Sequence, residues 1–152
     1  MNTVIPFIQK LYLRELDLLK QDVALYPSDA ALWATTKGIN NPAGNLCLHL
    51  CGNLQHFIGT VLGNTGYVRD REAEFADRDI PKANLLQNIE ETKAAIMLTL
   101  EKLDPVRLAD PYPSPPGNIP MNVHELLIYL AAHLSYHRGQ INYHRRIIAV
   151  EQ

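Results

Sequence analysis

Cysteine is nearly missing from this sequence: Cys47 and Cys51 are the only two, which excludes the disulfide framework of a small secreted domain. No uninterrupted apolar run approaches the roughly 18 residues that a membrane span needs. The opening stretch MNTVIPFIQKLYLREL lacks the basic n-region and unbroken apolar h-region of a secretory signal, so a cytoplasmic protein is expected. An excess of one charge is missing as well. Fourteen Lys and Arg face sixteen Asp and Glu, for a net charge of −2, and clusters such as Arg145–Arg146 are too small to change that balance. Neither nucleic acid nor a membrane surface is therefore an expected partner. No segment shows the sustained apolar–polar alternation of a half-buried strand, which points to an all-α fold.

What is present is helical periodicity. Ile5, Ile8, Tyr12, Leu16, Leu19 and Val23 recur at three- and four-residue steps, the pattern of an amphipathic helix over about 3–25. A second stripe runs through Leu46, Leu50, Leu54, Phe57 and Val61 over about 42–63. The third helix is expected over 81–103, with Pro81 suited to its first turn and Asp104-Pro105 to end it. The fourth is expected over 122–148, where Asn122 and Glu125 form a variant capping box. Together these predict a four-helix bundle forming one domain over residues 1–152. Two long connections, about 64–80 and 104–120, are expected at the bundle ends. The second holds six of the ten prolines and cannot stay helical for long.

Three of the six histidines fall within HLSYHRGQINYH, residues 133–144. At 100° per residue, His133, His137 and His144 lie within the arc of Leu126, Leu130, Ile141 and Ile148, so all three face the core, whereas His124 falls on the opposite side. Imidazoles four apart on a helix are neighbours about 5–6 Å apart and can converge on one ion at about 2.0–2.1 Å. The second helix reads NLCLHLCGNLQHFIG. Its wheel puts His49, Asn53 and His56 on one side and Cys47 and Cys51 on nearly the other. The thiols therefore read as two small buried groups, and His49, deeper and nearer the apolar stripe than His56, is the facing candidate. Spacing alone leaves open both a His49/His133/His137 site and three independently satisfied histidines.

HLCGNL on the second helix, RDREAEF in the following connection and HLSYHRGQ on the fourth, in that order, resemble the DinB-like superfamily of metal-binding four-helix bundles over nearly the whole chain. The resemblance implies an up-down-down-up bundle with its long crossover between the second and third helices. It also implies metal ligation by His49, His133 and His137, and commonly a homodimer. It further implies an enzyme that activates a low-molecular-weight thiol for S-transfer to a small electrophile.

Three neutral nitrogen ligands leave an ion's charge undiminished and a position open, as in catalytic zinc sites. Zinc and nickel are the expected metals, since imidazole discriminates little among the later divalent ions. No general base is identifiable. A hydrolase using water in place of thiol, and a non-catalytic metal-binding dimeric module, remain open beside the transferase. Asn53 could orient a bound water or substrate, or form an interhelical hydrogen bond. Arg138, about 100° round from His137, could bind an anionic group or pair with an acid. Tyr129, Tyr136 and Tyr143 form a heptad-spaced stripe read chiefly as packing against another helix, with a dimer interface or a pocket wall as the alternatives. RDREAEFADRD reads as a solvated, salt-bridged loop, with Arg69 and Arg71 as alternative carboxylate binders.

Overall fold

A computed structural model describes residues 4–151; the expected helix start at residue 3 and the outermost ends of the 1–152 span lie outside the described residues. Four long helices dominate. They are α1 (Val4–Ala24), α3 (Ala43–Leu54, prolonged by the wider-wound Gln55–Thr60), α5 (Lys82–Lys102) and α6 (Val123–Glu151). Two short helices sit between them, α2 (Asp29–Trp33) and α4 (Arg71–Ala76). No strand forms among the described residues, only two isolated bridges.

The start signals behave as their chemistry requires. Asn122 and Glu125 exchange backbone-to-side-chain hydrogen bonds of 2.8 Å each, so two otherwise orphaned donors of α6 are satisfied. Pro81 caps α5 rather than entering it. The sequence reading did not include α2, a single turn capped by Ser28 accepting from the Ala31 amide. The apolar stripes meet in one core, with Tyr12, Leu16, Leu50, Ile89, Leu126 and Ile141 fully buried. Each buried aliphatic side chain of this kind contributes about 1.5–3 kcal/mol.

Side-chain contacts fix the topology. Tyr12 donates to the Leu127 carbonyl, Glu15 accepts from Ser135 and Arg138, and Asp22 from Asn142; positions rise together, so α1 and α6 run parallel. Asp17 pairs with Lys93 and Lys20 with Glu90, while the Tyr26 carbonyl accepts from Lys82, so α5 runs antiparallel to α1. Gln55 donates to Asn88 and Thr92, and Gly63, just beyond, packs on Thr99, so α3 and α5 run parallel. The result is the up-down-down-up bundle that the resemblance implied.

That topology corrects one expectation. Parallel α3 and α5 require the chain to return over the length of α3, roughly 27 Å at 1.5 Å per residue, so the 64–80 connection runs along the bundle's flank. Thr60 holds Tyr67, and farther back Asn45 donates to the carbonyls of Glu74 and Asp77. In the tyrosine stripe the structure favours the pocket-wall alternative over helix packing: Tyr136 and Tyr143 are 64% and 67% exposed and line an open cavity.

Candidate metal centre

His49 projects from the middle of α3, and His133 and His137 from successive turns of α6. One ring nitrogen from each lies within 4.8 Å of the others. The rings stand edge-on to one another, with centroids 5.1 Å apart for His49–His133, 5.3 Å for His49–His137 and 4.6 Å for His133–His137. The structure thus brings the three together and excludes the remaining histidines. His144 is a satisfied core residue: its Nδ1 meets the Tyr26 hydroxyl at 2.8 Å and its Nε2 the Ala34 carbonyl at 2.9 Å. His56 lies in the wider-wound segment, where a 100° wheel no longer holds, and its ring stands edge-on to Phe57. Cys47 and Cys51 are free, buried thiols, and their mutual hydrogen bond, reinforced by burial, pushes the Cys47 thiol well up.

The outer nitrogens define which tautomers the cluster carries. His49 Nδ1 lies 2.9 Å from Glu74 Oε2. Arg69 Nη2 lies 3.3 Å from the same nitrogen, but Arg can only donate and a carboxylate only accept. Nδ1 therefore carries the proton that Glu74 receives, leaving the lone pair of Nε2 facing the cluster. His137 Nδ1 likewise donates to Gln140 Oε1 at 2.6 Å. The Glu74–His49 pair is the carboxylate–histidine arrangement that orients metal-binding imidazoles and raises their basicity, and the Gln140 amide oxygen orients His137 in the same way. His133 differs, because its Nδ1 is buried without a partner while its Nε2 lies 3.3 Å from His49 Nε2.

Electrostatics favour the neutral form of the two α6 histidines. Burial first, then the neighbouring His137, His49 and Arg69, pulls His133 down to about 4. Burial also lowers His137, partly opposed by Gln140. Glu74 moves the other way in its chemistry: burial would raise its carboxyl, but hydrogen bonds from His49 and Arg69 hold it below the ordinary value.

Glu74 is the site residue that sequence reasoning missed, and its carboxylate is the one that Arg69, a candidate carboxylate binder, holds. The segment read as a solvated loop instead buries Glu74 to 5% exposure, where Arg69 Nε and Nη2 grip its two oxygens at 2.6 and 2.9 Å. A Cβ on Gly52 would collide with that carboxylate, so the glycine in HLCGNL makes room for it. Of the other candidates, Asn53 is buried, borders the cavity in front of the histidines and leaves Oδ1 without a partner. Arg138 is absent from that cavity's wall and ion-pairs with Glu15 at 2.8 Å and Asp22 at 3.4 Å.

The donor set fits a divalent transition ion. Two nitrogens bound at about 2.0–2.1 Å in tetrahedral geometry are about 3.3–3.4 Å apart, and His49 and His133 stand at 3.3 Å. An up-down-down-up bundle with three clustered imidazoles able to hold an ion is the class of protein that these features define. The chain belongs to the DinB superfamily, whose family profile matches residues 13–141. A solved structure described as a conserved protein from Enterococcus faecalis has the same fold; it is 14% identical, has a TM-score of 0.76 and is covered over 98% of both chains. No curated protein matches the sequence.

Proposed function

We propose that this protein is a metal-dependent enzyme that activates a low-molecular-weight thiol for S-transfer to a small electrophile at His49, His133 and His137. The observation that carries the reading is a three-nitrogen cluster opening onto a cavity of about 500 Å³, room for a small substrate. A zinc or nickel ion held there would lower the pKa of a coordinated thiol and so supply a nucleophile near neutral pH. The protein's own groups do the rest. Glu74 and Gln140 fix two imidazoles with their lone pairs inward. Phe57 and Phe75 line the cavity and displace water.

Hydrolysis, with water taking the place of the thiol, is the alternative reading. It is favoured by Asn53, which lines the cavity with a buried carbonyl oxygen that has no protein donor, an acceptor for a water proton once the side chain turns outward. The proposal also includes cytoplasmic residence, which accords with two free thiols, and a homodimer. A second copy would cover the apolar groove between α1 and α6, where Phe7 and Ile128 are 67% and 54% exposed. No described helix is long and apolar enough to cross a membrane.

The test is elemental analysis of untagged protein followed by a thiol-consumption screen with alkylating electrophiles. About one divalent ion per chain and metal-dependent thiol loss are expected. Ester hydrolysis without thiol loss would favour the alternative, and metal with neither activity a binding module. Sedimentation at micromolar concentration checks the dimer, and a pure monomer would refute it.

A further inference from the structure

The cavity in front of the histidines contains two arginines with different employment. Arg69 is committed, gripping Glu74 through two hydrogen bonds with its side chain 13% exposed. Arg71, at the start of α4, has no carboxylate within ion-pair distance among the described residues. Its guanidinium lies over the Phe75 ring, 5.5 Å from the centroid, and Phe75 in turn packs on the His49 ring at 5.0 Å. These two contacts cap the distance between the His49 ring centre and the Arg71 guanidinium carbon at 10.5 Å. An aromatic platform restricts where a guanidinium points while leaving its forked donors free. No Asp or Glu lines the cavity. With the Arg69 charge neutralised by Glu74, Arg71 leaves the wall with a net positive charge.

We propose that Arg71 is the anchor for a carboxylate on the small molecule that this cavity takes, and so sets a preference for anionic over neutral ligands. The inference rests on the metal-site reading for the position of the ligand's other end, while the anchor itself is a property of the wall. A planar carboxylate accepts two parallel hydrogen bonds from the guanidinium fork, which a neutral hydroxyl or amide cannot reproduce. The Phe75 bridge limits the ligand to one spanning at most several bonds between its reacting atom and the carboxylate.

Two arms test it. In the first, cobalt(II)-loaded protein is titrated with 4-mercaptobutyrate and with neutral 4-mercaptobutanol, and thiol binding is followed by sulfur-to-cobalt charge-transfer absorption. The wild type should favour the charged thiol by about fivefold or more. Arg71→Gln should bind both alike with unchanged cobalt content, and Arg71→Lys should keep part of the preference. In the second, metal-free protein is titrated with glutarate and with glutaramide while the arginine Nε–Hε resonances are recorded. The Arg71 signal, identified by its loss in Arg71→Gln, should move with glutarate alone. Equal binding of the two thiols, or a preference that survives Arg71→Gln, overturns the anchor and leaves the metal site standing. Failure to bind cobalt or either thiol counts against the metal and thiol readings, and the resonance arm then decides the anchor by itself. An Arg71 signal indifferent to glutarate refutes it.

Discussion

Replacing Glu74 should separate what the crossover does for stability from what it does for the site. The carboxylate is 5% exposed and accepts three hydrogen bonds, one from His49 and two from Arg69. Glu74→Ala strands a largely buried guanidinium. Breaking such a pair from one side costs about 3–5 kcal/mol, here toward the lower figure because Arg69 can swing toward solvent. It also frees the His49 ring, and loss of an outer partner typically weakens metal binding by about 10–100-fold, or roughly 1.4–2.7 kcal/mol. Glu74→Gln retains an acceptor for His49 Nδ1 and should lose less metal affinity than Glu74→Ala while still costing stability. In Arg69→Met/Glu74→Met both charges go together, so much of the stability should return while affinity stays low. Zinc affinity would be read by competition with a chelator, and stability by urea unfolding of the metal-free protein. Wild-type zinc affinity in Glu74→Ala, with stability lost, would refute the outer-partner role and reduce Glu74 to a clasp for the crossover.

His49→Ala, His133→Ala and His137→Ala should each lose most bound metal in elemental analysis, whereas His124→Ala should not. His144→Ala should keep its metal but lose about 2–4 kcal/mol in urea unfolding, because it opens a cavity and leaves the Ala34 carbonyl without its donor; metal loss there would mean that the wrong histidines have been grouped. Gly52→Ala pushes a methyl into the Glu74 carboxylate and should cut zinc affinity about tenfold by the same chelator competition, with unchanged affinity refuting the need for close approach. In metal-free protein, unfolded His133 takes up a proton near its ordinary value of about 6.5 and folded His133 only near 4. The unfolded state binds more protons between those limits, so this contribution to stability is intact above about 6.5 and is lost as pH falls toward 4. Urea midpoints across that range should drop more steeply in the wild type than in His133→Gln, and parallel curves would contradict the shift.

The helices and the three histidines were legible because both obey the helical period. Leu46, Leu50 and Leu54 fix the inward face of α3, and the same wheel sets His49 beside that face; His133 and His137 share theirs with Leu130 and Ile141. Where the period fails, so does the reading. From Gln55 the helix widens, the Val61 amide reaching back five residues to His56, so a uniform wheel no longer fixes the directions of the residues in that segment. Tyr136 and Tyr143 stayed undecided between helix packing and a pocket wall for a different reason: a heptad stripe has no way of saying whether a helix or an open cavity lies opposite.

Glu74 lies beyond periodicity altogether, since nothing repeats in RDREAEF, and mixed charge is what solvated loops carry. Two physical signals nevertheless pointed to it. Gly52 sits inside a helix, where glycine costs about 1 kcal/mol relative to alanine, and such a cost asks for a close neighbour. Topology gives the neighbour's position. If α3 and α5 run parallel, the crossover from about residue 61 to 81 must retrace α3 from about residue 60 to 43, and simple proportion then sets residue 74 opposite about residue 49. The observed hydrogen bond joins those two residues. The outer layer of the site is thus a consequence of the bundle's connectivity: a parallel helix pair forces the returning segment past His49, and the acid it carries there is what holds the ring in place.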